Sequence, residues 1–428
     1  MIDARARPGS YLRLMLLIAL LGVVSAGLTF AFVTLLHEGF FLIWERAWPI
    51  TGLDERIFTL LVCTTGGVLV GLLLKLFGDH NAIFADLMAE FGKTGRFDYK
   101  AAPGIVITAV VSMLAGGSLG PEAPLADLCG GLGTWLADKF KYGENERRAL
   151  GYGGFSAMLA SLITNPFGGA LLGLETAHAA MAGMEVYFWS LFPSLLASAA
   201  AAIVYVQLSG AFFGKMYTFP QYSPRLLDLV MAVPLSLLGA VMGLGFMLGF
   251  RRLDRLLQPL KGRPVLRATL GGLSMGIIGA LLPLTLFSGE RQAPDLILRS
   301  AQLGIGMLIV LAIAKLMATA ILLATGWKGG YIFPIMFAGV ALGEAASLAF
   351  PGIPMAVTVA ATLTGAFVAA IRAPLFAALF TLVLVQAETG PVIAVAVIVS
   401  SLLSALIAMM QSRELEPSEK PSTVKLEA

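Results

Sequence analysis

The chain has 428 residues, of which 58% are hydrophobic and 13% are charged, and its formal net charge is +3. Soluble domains carry about 25% charged residues, so the composition argues against a soluble protein and favours one whose solvent is the lipid bilayer. The basic residues cluster only in loops, and nothing in the sequence indicates a nucleic-acid partner.

Apolar runs long enough to cross a bilayer as helices recur along the whole chain. The longer runs cover residues 14–36, 57–77, 102–114, 187–206, 227–250, 269–287, 304–325 and 393–410. Shorter or interrupted runs cover residues 155–163, 167–181, 331–350, 356–371 and 375–386. We therefore expect roughly ten to fifteen membrane helices of uneven length. The first run is too long for a cleaved signal peptide and is followed by no soluble domain.

Short basic segments lie beside these runs at the N-terminus, at 139–148 and at 251–267. Loops rich in Lys and Arg usually face the cytoplasm, so we place all three there. The sequence predicts a cytoplasmic N-terminal segment (1–13), a transmembrane domain (14–412) and a polar C-terminal tail (413–428). The transmembrane domain divides into halves of about 14–210 and 225–412.

An internal repeat supports this division into halves. The sequence GGSLGP at 116–121 returns as GGYIFP at 329–334, an offset of 213 residues (116 to 329). The sequence TNPFGGALL at 164–172 returns as RAPLFAALF, and its proline returns 208 residues later (166 to 374). Paired interrupted helices in two halves point to a binding site near the membrane midplane.

The glycine-rich turns have a chemistry of their own. Proline after a glycine turn is a natural helix start, because the N–H that it lacks would have no partner there. The helix that begins presents free N–H groups and the positive end of its dipole. Two such ends that face each other would bind an anion without a fixed positive charge. The pattern indicates an anion pathway between residues 117–122 and 330–334, unless both turns serve only packing.

Four segments resemble, in order, motifs of the CLC family of chloride channels and chloride/proton antiporters. They are GSLGP (117–121), FSAMLASLITNPFGGALLGLE (155–175), GGYIFP (329–334) and TGAFVAAIRAPLFAALFTLVL (364–384). The resemblance covers about residues 14–410. It implies an all-α polytopic membrane protein with two inverted halves, whose broken helices meet at the midplane. It also implies a homodimer with one anion pathway in each subunit.

The resemblance also implies which residues form the pathway. Backbone amides around Leu119–Gly120 and Tyr331–Ile332 would coordinate chloride or another small anion. The candidate pathway residues are Gly117, Ser118, Leu119, Gly120, Pro121, Glu122, Gly330, Tyr331, Ile332, Phe333 and Pro334. We expect no cofactor and no metal, because the three histidines are not spaced as a ligand set.

The side chains that are typical of the family are replaced. Leu119 stands in the position of the gating glutamate, and the nearest carboxylate is Glu122, three residues later. Thr176 stands in the position of the inner glutamate of the antiporters, and the coordinating serine and tyrosine are also missing. Asp79 and His80 lie where the serine is expected, and Glu388 lies near the expected tyrosine.

Glu122 has two interpretations. Residues three apart share a helix face, so Glu122 would point near the pathway and act as a gate. Alternatively, it is an acid stabilised by the positive end of a helix. Asp127 and Glu344 follow the two turns, and lining the pathway or packing against a polar partner explains them equally well. Lys315 and Arg372 are expected to neutralise carboxylates or to bind carbonyls.

The first functional interpretation is passive, channel-like conduction of an anion, chloride being the first candidate, since proton coupling needs a titratable relay. The alternative is proton-coupled exchange along a re-routed relay, with Glu122, Glu175, Thr176, His178 and Glu388 as possible members. Two other classes are a transport-inactive scaffold and a membrane enzyme; no nucleophile–base pair supports the enzyme. The expected location is a bacterial inner membrane, crossed several times.

Overall fold

The structure, a computed structural model, describes residues 8–80, 84–177, 184–210, 213 and 217–415. These residues are almost entirely helical. The helices are α1 (Pro8–Phe40), α2 (Trp48–Thr51), α3 (Glu55–Phe77), α4 (Phe84–Thr94), α5 (Ala102–Leu114), α6 (Glu122–Lys139), α7 (Glu144–Ile163), α8 (Pro166–Ala177), α9 (Met184–Val186), α10 (Phe192–Ser209), α11 (Leu226–Leu257), α12 (Pro264–Leu281), α13 (Gln292–Ala324), α14 (Ile332–Ala349), α15 (Met355–Ile371), α16 (Pro374–Leu384) and α17 (Gly390–Leu415).

Within the described part of the chain, eight helical segments are long and apolar enough to cross a membrane. They are Gly9–Thr51, Glu55–Phe77, Met184–Ser209, Leu226–Leu260, Pro264–Leu281, Gln292–Ala324, Ile332–Ala349 and Ala387–Met410. Three shorter apolar helices, α5, α15 and α16, accompany them. The all-α polytopic fold predicted from the sequence is therefore confirmed. The predicted run 269–287 ends as a helix at Leu281, and Pro283, which has no N–H to donate, follows it.

The two halves repeat with an offset of 210 residues at the glycine-rich turns. Helix α5 ends at Leu114 and α13 at Ala324, while α6 begins at Glu122 and α14 at Ile332. Between them, Gly116 and Gly326 both have a left-handed φ, of 88° and 92°. The sequence alignment with an offset of 213 was therefore wrong by three residues, because it matched two Gly-Gly pairs that occupy different places in the turn.

The second pair of turns confirms the repeat. Helix α7 ends before Thr164 and α15 before Arg372, and both residues adopt the left-handed conformation, with φ of 49° and 60°. Helices α8 and α16 then begin at Pro166 and Pro374. These prolines lie in the first helical turn, where the missing N–H removes no hydrogen bond. The offset of 208 read from the sequence holds at this turn.

Packing follows the repeat as well. Helix α6 packs on α7 and α14 packs on α15, so each helix that follows a glycine turn has the equivalent neighbour. Helices α1 and α11 begin their halves and pack on α7 and α15. Helix α10 ends at Ser209 and α11 begins at Leu226. The domain limits drawn from the sequence stay predictions.

Candidate functional site

The two glycine turns meet in the centre of the molecule. The N–H of Gly120 donates to the carbonyl of Gly330 (2.8 Å), and the N–H of Gly330 donates to the carbonyl of Gly120 (2.7 Å). This pairing is antiparallel, so the two turns run in opposite directions, as two inverted halves require. The Thr319 hydroxyl donates to the Ser118 carbonyl at 2.8 Å and holds the first turn against α13.

Glu122 lies where these turns join their helices. It is the first residue of α6, and its side chain is completely buried, with 0% exposure. Its Oε1 accepts a hydrogen bond from the N–H of Ile332, the first residue of α14, at 2.5 Å. Oε2 has no hydrogen-bond partner in the described part of the chain. A carboxylate of one half therefore occupies the amide end of the broken helix of the other half.

The helix-face argument that linked Leu119 to Glu122 is wrong. Leu119 lies in the turn before α6, so the two residues do not share a helix face. Tertiary contact with α14, and not helical spacing, places Glu122 at the centre. Leu119 is also fully buried, and it lines a cavity together with Pro121.

This outer cavity has a volume of about 70 Å³ and is lined by Leu119, Pro121, His37 and Glu290, among others. Part of its wall is the segment after α12, at the opposite end of that helix from the basic segment 251–267. The wall therefore lies on the side of the membrane away from the predicted cytoplasm. The Glu290 carboxylate is close enough to repel a charge on Glu122.

A larger inner cavity, of about 300 Å³, lies beside the basic segments. The residues with polar side chains that line it are Asp79, His80, Glu90, Arg96, Asp98 and Asp127. Arg96 pairs with Asp138 near the 139–148 segment, and Asp79 pairs with Arg267 of the 251–267 segment. The positive-inside rule therefore predicts that this cavity faces the cytoplasm.

Asp79 organises one wall of the inner cavity. Its carboxylate binds the Lys328 ammonium at 2.9 Å and also pairs with Arg267. The Lys328 ammonium additionally donates to the His80 carbonyl. Burial raises the pKa of Asp79, but Lys328 and Arg267 outweigh burial and hold this pKa below its usual range. Asp79 and His80 stand where the family's coordinating serine is expected in the sequence. In the fold they lie near the turn that carries Gly330.

Comparison with known proteins identifies the same family that the motifs around the glycine turns resemble. Residues 66–405 match the family model described as "Voltage gated chloride channel". The chain belongs to the CLC family of voltage-gated chloride channels. The YfeO proteins of Escherichia fergusonii and Shigella sonnei, named for a proposed role in ion transport, are each 27% identical over 333 residues. These matches cover 76% of this chain and 76% of each relative.

Solved CLC structures share the fold. A slow cyanobacterial Cl⁻/H⁺ antiporter superposes with a TM-score of 0.79 at 21% identity, covering 95% of this chain and 99% of its own. A CLC-type fluoride/proton antiporter has a TM-score of 0.77 at 18% identity, with 94% and 97% covered. The chain is a multi-pass membrane protein of a family that transports anions, with the inverted halves of the CLC fold.

Of the relay candidates suggested by the CLC resemblance, Glu122 alone is seen between the two turns. Glu175 instead accepts hydrogen bonds from the N–H groups of Leu375 (2.7 Å) and Phe376 (2.9 Å) and caps α16. Glu388 is exposed in a short turn before α17. Thr176 lies near the end of α8 with its side chain outside the described part, and His178 lies outside the described residues.

Lys315 has a structural role in this CLC fold. Its ammonium is fully buried and donates to the carbonyls of Thr285 (3.0 Å), Leu286 (3.1 Å) and Phe287 (2.6 Å). It therefore satisfies backbone acceptors in the segment after α12, one of the two roles expected from the sequence. The segment that it holds forms part of the outer cavity wall.

Three features of the site were not predicted from the sequence: Lys328, Glu290 and the inner cavity around Asp127. A signal for Lys328 was present, because it is a charged residue two positions before Gly330 in a broken-helix segment. Ionisable residues at membrane depth are functional candidates by default. Glu290 had no such signal, since it lies in a loop that only the fold brings to the cavity.

Proposed function

We propose that the protein exchanges a small monovalent anion for protons, with Glu122 as the protonatable gate. The observation that carries this proposal is the hydrogen bond from the Ile332 N–H to Glu122 Oε1. The amide end of α14 is the place where the sequence predicts the anion. Glu122 places a carboxylate there, and a carboxylate is an anion supplied by the protein itself.

The chemistry follows from competition for the same amides. While Glu122 is ionised, its carboxylate is held by the free N–H end of α14 and the transported anion is excluded. When Glu122 accepts a proton, its charge is neutralised and its attraction to the helix dipole weakens. The anion then takes the amides, and loss of the proton reverses the exchange. One residue thus couples proton binding to anion binding.

Passive conduction, the first interpretation from the sequence, needs a pathway that an ion can cross without proton transfer. Its basis was the replacement of the family's two acids by Leu119 and Thr176. The position of Glu122 supports the alternative, because it restores a titratable group to the centre. Two of the structural neighbours are themselves described as proton-coupled antiporters of chloride and of fluoride.

The test uses the purified protein in liposomes with a chloride gradient and a pH-sensitive dye. We expect chloride movement to drive protons against their gradient. Glu122→Gln keeps the shape of the side chain but cannot exchange a proton, so it should move chloride without moving protons. Glu175→Gln is the matched control, since Glu175 also caps a helix of the second half, and it should remain coupled.

Three results would contradict the proposal, and each would support a different interpretation. Proton movement that persists in Glu122→Gln would show that Glu122 only caps α14. Chloride flux without proton movement in the unmodified protein would establish passive conduction. A complete lack of flux for chloride, fluoride and nitrate would leave the scaffold interpretation.

We also propose that the protein works as a homodimer in a bacterial inner membrane. Membership of the CLC family supports the dimer, and the bacterial sources of its relatives support the location. Measuring the mass of the detergent-solubilised protein by light scattering tests the dimer. A monomer that transports at full rate would contradict it.

A further inference from the structure

The inner cavity has an unusual composition for the entrance to an anion pathway. It is lined by four carboxylates, those of Asp79, Glu90, Asp98 and Asp127. Lys328 and Arg267 both pair with Asp79, so the carboxylates of the lining without a salt bridge in the described residues are Glu90, Asp98 and Asp127. Negative charges at a pore entrance repel anions and attract cations, protons included. Its volume of about 300 Å³ also provides room for several water molecules, each of which needs about 30 Å³.

Asp127 differs from the other three carboxylates. It lies on α6 and is 3% exposed, yet it lines the cavity. Its Oδ2 has no hydrogen-bond partner in the described part of the chain. An ionised carboxylate that is buried without a donor is costly, and such a group in general takes up a proton instead. Glu175 differs, because two backbone N–H groups bind it. Glu344 is also buried without a hydrogen-bond partner in the described part of the chain, but it lines neither cavity, so the place of Asp127 on the wall of the inner cavity is what sets it apart.

Asp127 is also close to Glu122 in the fold. The two residues lie five positions apart on α6, which is about 7.5 Å along the helix axis. They point to different sides of α6, and the segment from Lys328 to Gly330 lies near both residues. Lys328 acts electrostatically on Asp127, and a Cβ atom on Gly330 would overlap the Glu122 carboxyl. Waters that bridge polar groups can carry a proton between two carboxyls that do not touch.

We propose that Asp127 is the residue that transfers protons between the water of the inner cavity and Glu122. This inference rests on the proposed function, since it assumes that Glu122 exchanges protons. A hydronium ion in the cavity gives its proton to Asp127 and becomes water. Asp127 then passes a proton through bridging water to the Glu122 carboxylate and is itself an anion again. No bond other than O–H forms or breaks.

Charged groups from several elements face Asp127 and set its response. Lys328 attracts its charge from the second glycine turn, while Glu90 of α4 and Asp98 of the following loop repel it. Three further groups share the cavity wall: Asp79, His80 and Arg96. Arg96 is already paired with Asp138, and Lys328 with Asp79, so neither is committed to Asp127.

The experiment measures chloride flux and proton flux separately in liposomes. Asp127→Asn should lower the proton flux by about tenfold or more, the scale on which a positioned proton donor contributes. Chloride flux should persist, so the ratio of protons to chloride falls. Asp127→Glu retains an ionisable group and should restore most of the ratio. Glu344→Gln is the matched control, a buried acid on α14 that lines neither cavity, and it should leave the ratio unchanged.

The outcomes separate this inference from the proposed function. If Glu122→Gln is uncoupled while Asp127→Asn keeps the proton ratio of the unmodified protein, Asp127 has no role in proton transfer and the proposed function stands. If the unmodified protein moves no protons, the proposed function fails and the inference fails with it. Should Asp127→Asn not fold, Asp127→Ser, which fills less space and cannot ionise, takes its place; full coupling in that variant overturns the inference.

Discussion

Glu122 and Ile332 occupy equivalent positions in the two halves of the chain, and the side chain of the first is bonded to the backbone of the second. Each is the first residue of its helix, α6 and α14. They are 210 residues apart, and the Ile332 N–H donates to Glu122 Oε1 at 2.5 Å. The first half therefore supplies an acidic ligand to the helix end of the second half, where isoleucine supplies none in return.

Removing this carboxylate should free the end of α14 for anions. We predict that chloride stabilises Glu122→Ala by about 1–3 kcal/mol at saturating concentration, and the unmodified protein by less. The measurement is the thermal unfolding temperature at increasing chloride, with gluconate keeping the ionic strength constant. Glu344→Ala removes another buried acid and should behave like the unmodified protein. An equal response to chloride in all three proteins contradicts the shared site.

Gly330 leaves the space that the Glu122 carboxyl needs, because a Cβ atom there would overlap it. We predict that Gly330→Ala costs about 1–3 kcal/mol of unfolding free energy, the usual cost of overpacking. In the Glu122→Ala background this cost should be smaller, since the overlapping atoms are gone. Gly352→Ala is the control, because nothing lies within 4 Å of its Cβ position. Equal costs in both backgrounds would mean that Glu122 is not the obstacle.

Leu119 is a buried residue of the outer cavity lining, three positions before Glu122. Leu119→Ala should remove about 2–4 kcal/mol of stability and increase chloride efflux, because the cavity then extends towards Glu122. Leu125→Ala makes the same truncation at a fully buried position of α6 that lines neither cavity. Liposome efflux compares the two variants. A similar rise in both would indicate general loosening, and no rise in Leu119→Ala would place the barrier elsewhere.

The ion pairs of Asp79 predict that acid destabilises the wall of the inner cavity. The pKa of Asp79 lies below its usual range in the folded protein, whereas unfolded aspartate titrates near about 3.9. Its contribution to stability is therefore complete above the unfolded pKa and is lost as the pH falls through the lower folded value. Thermal unfolding measured from neutral pH down to well below about 3.9 follows this loss.

Asp79→Asn should lack that acid step and should already be less stable at neutral pH, because Lys328 and Arg267 lose their partner. Asp86→Asn changes an exposed aspartate of α4 and controls for the change in net charge. An identical pH profile for Asp79→Asn and the unmodified protein would show that these ion pairs add no stability.

Lys315 should be required for the outer wall. Lys315→Met has a similar length but leaves the carbonyls of Thr285, Leu286 and Phe287 without this donor, which should cost about 1–3 kcal/mol. Hydrogen exchange of residues 285–287 should rise in the variant. Lys75→Met, at an exposed position of α3, is the control. Unchanged exchange in this segment would show that other contacts hold it.

Much of the architecture could be predicted because the bilayer restricts the chain to closed hydrogen-bonding patterns. Apolar length then indicates the spans, and paired breakers such as Pro166 and Pro374 indicate the repeat. The alignment of the glycine turns was less secure. Local sequence similarity aligned Gly117 with Gly330. In the fold, Gly120 is the residue equivalent to Gly330, and the backbone groups of these two glycines pair at the centre of the molecule.

The order of residues already indicates an all-helical membrane protein, its internal repeat and the position of its two glycine-rich turns. These properties depend on local conformation and on burial in lipid, and both can be inferred from short stretches of sequence. The ligand of the Ile332 amide and the distinction between Glu122, Glu175 and Glu388 depend on contacts between residues about two hundred positions apart. Such contacts form only when the two halves pack against each other. The tertiary structure, and not the sequence alone, therefore decides which acid lies at the centre of the site.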